Sequence, residues 1–192
     1  GSSIANTDVM ACTDVGLQLW AFASESSTSA ERPSVVYVTV KGYNAAGSVS
    51  VAHSNGVLVD LSPPIVGDVY HGAPSNSQFA NTTSCNHALE VTWDAATDDE
   101  TDIATYHVSV GTTPGGVDVL DSQLVTGEGA RATESNSIDA RPTAVLDSLT
   151  LVDGQRYYVT VTATNGAGLK ASATSAHILV DGSAPVVHFV RN

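Results

Sequence analysis

Apolar and polar residues alternate between Tyr157 and Thr164. One face of the predicted strand carries Tyr157, Val159, Val161 and Ala163. A period of two, built from β-branched and aromatic residues, is typical of a half-buried antiparallel strand. Asp153-Gly154 precedes the strand and Asn165-Gly166 follows it. These residue types tolerate positive φ, so the sequence predicts a turn at each end.

The same pattern occurs a second time, earlier in the chain, at a constant offset of 121 positions. Residues 37–40 repeat residues 158–161, and residues 59–64 match residues 180–185. The first copy carries 11 more residues before its strand, in the serine-rich run 20–34. A period of this length indicates the repeat of a whole domain rather than of a solenoid turn.

The second half of the chain is predicted to contain seven short strands. Residues 89–93 and 106–110 alternate between apolar and polar types, and turn-forming residues separate the segments. The other predicted strands are 65–70, 117–124, 144–151 and 171–180, with polar loops at 71–86 and 126–142. The residues predicted to share one core are Trp93, Tyr106, Val108, Tyr157, Val159 and Val161. Short strands without helical periodicity predict an all-β fold, a β-sandwich.

In the first half, the predicted buried face of a strand is formed by Val36, Val38, Val40 and Gly42. Residues 48–60 are predicted to return as one second strand. Ser62-Pro63-Pro64 then stops the strand ladder, because proline has no N–H to donate. We therefore predict that Leu61 to Pro64 is the boundary between two domains.

The net charge of the chain bears on its binding partners more than on its fold. The 192 residues include 20 acidic and 7 basic side chains, a formal charge of −13. Such a field repels phosphate backbones and anionic lipid, so we expect no nucleic-acid partner. No apolar run approaches the ~20 residues of a bilayer span, so no membrane insertion is expected. The opening Gly-Ser-Ser lacks a signal peptide, and we expect the sequence to be a piece of a longer polypeptide.

Several motifs together resemble the fibronectin type III domain. They are Leu89-x-Val91-x-Trp93, Tyr106-x-Val108, and the segment 151–161 with its Gly154, Tyr157, Val159 and Val161, closing at Asn165 and Gly168. The segment 98–116 is similar to a variant found in large extracellular repeat proteins. The resemblance implies tandem Ig-like sandwiches: the C-terminal part of one domain at 1–63, a complete domain at 64–184, and the start of another domain or a linker at 185–192.

The resemblance also implies a role for Tyr157. It stands where the family has its tyrosine corner, so its hydroxyl is expected to hold the preceding loop. In the first copy the equivalent residue is Val36, which has no hydroxyl. The corner is therefore expected to be absent in the copy whose preceding loop is longer.

No catalytic motif stands out. The chain has no Gly-x-Ser-x-Gly, no phosphate-binding glycine loop, no Cys-x-x-Cys and no His-Glu-x-x-His. The six histidines lack metal-ligand spacing. We therefore expect a protein that is not an enzyme and that has no cofactor, calcium excepted.

One acidic cluster has the right chemistry for calcium. Asp98, Asp99, Glu100 and Asp102 offer hard oxygen ligands within five residues, and Asp60 in the predicted linker is expected to lie beside them. Calcium there would stiffen a domain junction. The competing interpretation is a solvated loop, and it is favoured because no calcium loop of the EF-hand type is present.

Two cysteines and one sequon bear on the compartment. In an oxidising setting, Cys12 and Cys85 are each expected to form a disulfide or to stay buried. The disulfide would join them to each other or join either of them to a cysteine elsewhere. Asn81-Thr82-Thr83 is the one Asn-x-Ser/Thr sequon, so Asn81 is a candidate glycosylation site.

The inserted run before the first copy is the least ordinary segment. Leu17 and Leu19 are predicted to begin a short strand, and Trp20 and Phe22 follow within the run 20–34. Exposed aromatics are unusual, so one of them is expected to pack against a neighbouring module. The alternative is a disordered serine-rich loop.

Two functions fit these patterns. The first is a structural module of an extracellular or cell-surface repeat protein, a rigid spacer or a fibre-forming or adhesive unit, whose partners are neighbouring repeats or copies of itself. The second is a recognition module that binds another surface protein or a glycan through its loops.

Overall fold

The computed structural model describes Asp14, Gly16 and residues 34–72, 80–125 and 141–186. The chain forms two compact units, Gly1–Ser62 and Pro63–Asn192. Every regular element among these residues is a strand, so this part of the protein is all-β. The first unit contains β1 (Ser34–Val36), β2 (Thr39–Tyr43), β3 (Val49–His53) and β4 (Val57–Val59). The strands of the second unit are β5 (Val69–His71), β6 (Thr82–Thr83), β7 (Leu89–Trp93), β8 (Ile103–Gly111), β9 (Leu120–Val125), β10 (Thr143–Leu146), β11 (Arg156–Asn165), β12 (Lys170–Thr174) and β13 (Ile178–Val180).

The second unit contains two sheets. One has three strands in the order β10-β7-β5. The other sheet has the strand order β6-β13-β11-β8-β9. Its sixth strand, β12, also pairs with β11. All of these pairings are antiparallel except the one between β13 and β6.

A single hydrophobic core takes side chains from both sheets. The three-stranded sheet contributes the buried residues Leu89, Val91 and Trp93. The other sheet contributes Tyr106, Val108, Val110, Tyr157, Val159, Val161 and Ala163. Trp93 is completely buried, and its ring lies 5.4 Å from the ring of Tyr106 at a tilt of 60°. Two sheets that share one core in this way are consistent with a β-sandwich.

Two tyrosine hydroxyls in this core hold neighbouring backbone. The N–H of Ala96 donates to the hydroxyl of Tyr106 at 2.8 Å. The N–H of Val152 donates to the hydroxyl of Tyr157, also at 2.8 Å, which is the contact expected of a tyrosine in this position. Burial raises the pKa of Tyr106, although the Ala96 N–H opposes that shift. The two hydroxyls anchor the loops that precede β8 and β11.

The strand pairs of the first unit reproduce a hairpin of the second unit position by position. β2 pairs with β3 from Thr39 opposite His53 onward, and β11 pairs with β12 from Thr160 opposite Thr174 onward. The pairing of β1 with β4 likewise matches that of β11 with β13. All five pairs of β2 with β3, and the pairs Val35–Leu58 and Val36–Val57 of β1 with β4, recur at the offset of 121 positions that the sequence repeat shows.

The side chains that shape the two hairpins also correspond. The amide oxygens of Asn44 and Asn165 each accept the N–H groups two and four residues further on. The hydroxyl oxygens of Ser54 and Ser175 each accept the backbone N–H of a valine 16 residues earlier. The turns both close with a glycine at positive φ, 82° and 86°. The repeat therefore extends from sequence to individual hydrogen bonds.

The hydrogen bonds to the Ser54 and Ser175 hydroxyls explain why two predictions of one continuous strand are wrong. Residues 48–60 and 171–180 were each expected to be one strand, and each is divided, into β3 and β4 and into β12 and β13. The division falls at Ser54 and at Ser175. There the hydroxyl takes the N–H that a regular ladder would give to a backbone carbonyl.

The expected burial in the first unit is also wrong. Val38 and Val40 were predicted to face a core, but they are 62% and 60% exposed. Gly42 is exposed and Val36 is only half-buried. The first strand is also interrupted at Tyr37 and Val38. Among the residues described for this unit, no second sheet lies over the valine side of β2, so alternation alone did not produce burial.

Smaller differences concern strand ends in the second unit. The strand expected at 65–70 forms only at Val69–His71, while Ile65 makes an isolated bridge to Thr97. The strand expected at 117–124 begins at Leu120, and the one expected at 144–151 ends at Leu146. The short strand β6 lies inside the loop predicted at 71–86. The predictions for Cys12, Leu17, Leu19, Trp20 and Phe22 lie outside the described residues.

Candidate functional site

The acidic loop lies between β7 and β8 of the second unit. It carries four of the five predicted calcium ligands, namely Asp98, Asp99, Glu100 and Asp102. The fifth, Asp60, follows β4 in the first unit, where its Oδ1 accepts the N–H of Ser62 at 3.2 Å. Calcium binding by this set stays a prediction.

Asp98 organises the acidic loop through its carboxylate. Its Oδ1 accepts the N–H of Thr101 at 2.8 Å and that of Glu100 at 3.1 Å. Its Oδ2 accepts Nδ2 of Asn165 at 3.0 Å. The Thr101 N–H first, and then the Asn165 amide, hold the pKa of Asp98 below its usual value of 3.8. These donors therefore favour the charged form of the Asp98 carboxylate.

Asn165 joins the acidic loop to the turn between β11 and β12. Its side chain is 1% exposed, and its Oδ1 accepts the N–H of Leu169 at 2.8 Å while its Nδ2 reaches Asp98. The next residue, Gly166, donates its N–H to Thr101 Oγ1 at 3.1 Å and to the Asp102 carbonyl at 3.0 Å. The loop and the turn therefore form one hydrogen-bonded surface, which we call the acidic end. It presents carboxylates on a hydrogen-bonded base, an arrangement suited to cations or basic groups.

A second polar cluster, formed by Tyr70, Asp94 and Arg141, was not predicted from the sequence. Nε of Arg141 lies 2.6 Å from Oδ1 of Asp94, and the hydroxyl of Tyr70 donates to Asp94 Oδ2 at 3.3 Å. The Arg141 guanidinium lies 5.3 Å from the centre of the Tyr70 ring, within cation–π range. Burial first, and then the charges of Asp94 and Asp68, raise the pKa of Tyr70.

The partners in this cluster are far apart in sequence. Asp94 and Arg141 are separated by 47 positions, so no local pattern links them. One signal was available: Arg141 is one of only 7 basic residues in an acidic chain. It directly precedes the buried Pro142, whose carbonyl accepts the N–H of Trp93 at 3.1 Å.

The outer face of the larger sheet forms a shallow depression lined by hydroxyl groups. Thr160 and Thr174 are hydrogen-bonded through their hydroxyls at 2.9 Å, and Thr162 and Ser172 at 2.8 Å. His107 lies beside Thr162 on the neighbouring strand and also lines the depression. The hydroxyl groups are thus hydrogen-bonded to one another across neighbouring strands, and the face is polar.

The remaining predicted positions lie around β6. Cys85 is a free, half-buried thiol, with Sγ 3.6 Å from Nδ1 of His87. Asn81 is exposed, and its backbone carbonyl accepts the N–H of Leu179 at 2.8 Å. An exposed asparagine in this place is accessible to a glycan. Glycosylation of Asn81 and pairing of Cys85 stay predictions, and Cys12 lies outside the described residues.

The chain matches no protein-family model and no curated protein. The strand order and the shared core therefore define its class as an all-β, sandwich-like protein. Among the residues that the structure describes, no helix is long and apolar enough to cross a membrane.

Proposed function

We propose that this chain is a non-catalytic structural segment of an extracellular or cell-surface repeat protein, built from fibronectin type III-like modules. It acts as a rigid spacer or as a fibre-forming or adhesive unit. Its partners are neighbouring repeats of the same polypeptide or copies of it. The position of Tyr157 near the start of β11, with its hydroxyl on the backbone five residues upstream, supports the family assignment.

The observation that carries this proposal is the repeated hairpin. Two segments of one chain share the strand register, the asparagine-centred turn and the serine bond. A catalytic site needs one particular constellation of side chains, whereas a spacer needs the same backbone unit again and again. Repetition at the level of backbone bonds therefore favours a structural role.

A mechanical experiment tests the role of spacer. The whole chain is held by handles at its two ends and extended in a single-molecule force instrument. We expect one abrupt lengthening of roughly 400 Å, because the ~130 residues of the second unit each contribute about 3.3–3.6 Å when extended, less the distance that the folded unit already spans. Gradual extension without an abrupt step would contradict the proposal.

A second function, recognition of a protein or a glycan through the loops, is supported by the acidic end. Asp98, Asn165 and Gly166 hold this surface in one conformation, and preorganised loops bind at lower entropic cost. Screening the chain against arrays of glycans and basic peptides tests it. Binding that is lost on replacing Asp99 and Asp102 by asparagine would favour recognition over a purely structural role.

A further inference from the structure

The asparagine that joins the acidic loop to the β11–β12 turn is followed by a glycine. Asn165-Gly166 is one of two Asn-Gly steps in the chain, and the other is Asn55-Gly56. Asparagine is most prone to deamidation before glycine, because no Cβ hinders the following backbone nitrogen from reaching the side-chain amide carbon. The turn of the acidic end therefore carries a step that can react with water without an enzyme.

Deamidation at this step is a ring closure followed by hydrolysis. The Gly166 nitrogen loses its proton and attacks Cγ of Asn165. A new N–C bond forms, the Cγ–Nδ2 bond breaks, and the amide nitrogen leaves as ammonia with that proton. Water then opens the succinimide ring: opening at Cγ leaves an aspartate, and opening at the backbone carbonyl leaves an isoaspartate, in which the main chain runs through the side chain.

The folded turn holds the reacting amide in place. The Asn165 side chain is 1% exposed, its Oδ1 accepts the N–H of Leu169 at 2.8 Å, and its Nδ2 donates to Oδ2 of Asp98 at 3.0 Å. Ring closure rotates this amide and releases Nδ2, so it breaks the hydrogen bond to Asp98. The closed acidic end therefore opposes the reaction.

The attacking nitrogen is held as well. The N–H of Gly166 donates to the Asp102 carbonyl at 3.0 Å and to Thr101 Oγ1 at 3.1 Å. These acceptors favour the protonated nitrogen, whereas attack requires the proton to leave. A Cβ at position 166 would lie 3.2 Å from Cβ of Thr101, so the glycine also allows this close approach. The two residues that make the step labile are thus the ones that form its contacts.

We propose that Asn165 is a deamidation site that the closed acidic end protects, and that its deamidation opens the acidic end irreversibly. The aspartate product has a carboxylate oxygen in place of the amide nitrogen that lies 3.0 Å from Oδ2 of Asp98. A hydrogen bond is then lost, and two carboxylates face each other in a buried place, which disfavours their charged forms. This inference does not rest on the proposed function, because it concerns the chemistry of one turn in the second unit.

The first test measures the rate of deamidation in the whole chain at mildly alkaline pH. Mass spectrometry follows the peptide that contains Asn165, with fragmentation that separates aspartate from isoaspartate. We expect Asp98→Ala to raise the rate about tenfold, because losing a hydrogen bond to a charged group raises the open population by that order. Asp99→Ala, at the exposed neighbour, should leave the rate unchanged. Asn55 lies in the other unit, so its rate in the same samples is the internal reference.

A second variant keeps this test decisive if Asp98→Ala does not fold. Thr101→Val removes the hydroxyl that accepts the Gly166 N–H, and it should also speed deamidation at Asn165. Circular dichroism at the incubation temperature selects the variants that are folded. The inference is overturned if the folded variants deamidate no faster than the native chain, or if the native chain deamidates at Asn165 as fast as the chain unfolded in urea.

The second test concerns the product. Asn165→Asp reproduces the aspartate form, and we expect hydrogen exchange of residues 98–104 at neutral pH to be about tenfold faster than in the native chain. Combining it with Asp98→Asn exchanges the two groups, so that one amide again faces one carboxylate, and should return the exchange close to the native rate. Unchanged exchange in Asn165→Asp, or fast exchange that persists in the combined variant, would show that deamidation does not open the acidic end.

Discussion

The hydroxyl of Tyr157 accepts the backbone N–H of Val152 at 2.8 Å, while its ring is 2% exposed in the core. One side chain thus packs the start of β11 and holds the loop before it. Removing the oxygen separates these two roles, because the ring remains to fill its place.

We expect Tyr157→Phe to lower the free energy of unfolding by about 1–2 kcal/mol, because the Val152 N–H loses its acceptor. Urea denaturation followed by fluorescence measures the loss. Tyr158→Phe, on the opposite face of the same strand, is the control and should change little. Equal effects of the two substitutions would show that the Tyr157 hydroxyl does not hold the loop.

Truncating the central tryptophan tests the shared core. Trp93→Ala should cost about 3–5 kcal/mol of unfolding free energy, since it empties a large, fully buried site. Glu90→Ala lies on the exposed side of the same strand and should stay within about 0.5 kcal/mol of the parent. A loss below about 1 kcal/mol for Trp93→Ala would contradict the packing described for the two sheets.

Acid should weaken the acidic end through Asp98. The folded pKa of Asp98 lies below the 3.8 of an ordinary aspartate, so its carboxylate stabilises the fold fully at neutral pH. That contribution begins to fall as the pH approaches 3.8 and is lost as the pH drops through the lower folded pKa. Asp98→Asn should therefore lower Tm at pH 7, and the difference from the parent should shrink toward pH 2.

The adjacent Asp99 supplies the control for this experiment. Asp99 is exposed, so Asp99→Asn should leave Tm nearly unchanged at both pH values. A difference between Asp98→Asn and the parent that persists at pH 2 would mean that the substitution acts through packing and not through charge.

A glycine at the end of β8 permits a close backbone approach. A Cβ at Gly111 would clash with the backbone carbonyl carbon of Gly116, so one of the two segments would have to move. We expect Gly111→Ala to cost about 1–3 kcal/mol, as overpacking does. At Gly182 the nearest atom would lie 3.8 Å away, and Gly182→Ala should be nearly neutral. Similar stabilities of the two variants, measured in urea, would disprove the close approach.

The alternation of side chains predicted the strands that have a covered face. Trp93 on β7 and Val159 and Val161 on β11 were assigned to one core from the period of two alone, and all three are completely buried. The same period placed Val38 and Val40 on one face, but they are exposed. Alternation shows which residues share a side of a strand, while burial depends on a second sheet that the local pattern does not encode.

Two other features depend on contacts that no local pattern carries. Serine fits a strand pattern, so the sequence does not reveal that the hydroxyls of Ser54 and Ser175 replace ladder bonds. The cluster of Tyr70, Asp94 and Arg141 joins residues from three separate segments. By contrast, Asp98 was found from composition, since several carboxylates lie close together there, although its partner Asn165 was assigned only to a turn.

The division of the outer strand at Ser175 has a consequence for how the protein stays dispersed. A long, continuous, unpaired strand is a template on which other chains add and aggregates grow. Here β13 is already covered on its outer side by β6, and β12 is only five residues long and begins with a lysine. The serine hydroxyl therefore shortens the unpaired strand edge. We expect this edge of the second unit to be a poor template for amyloid-like growth.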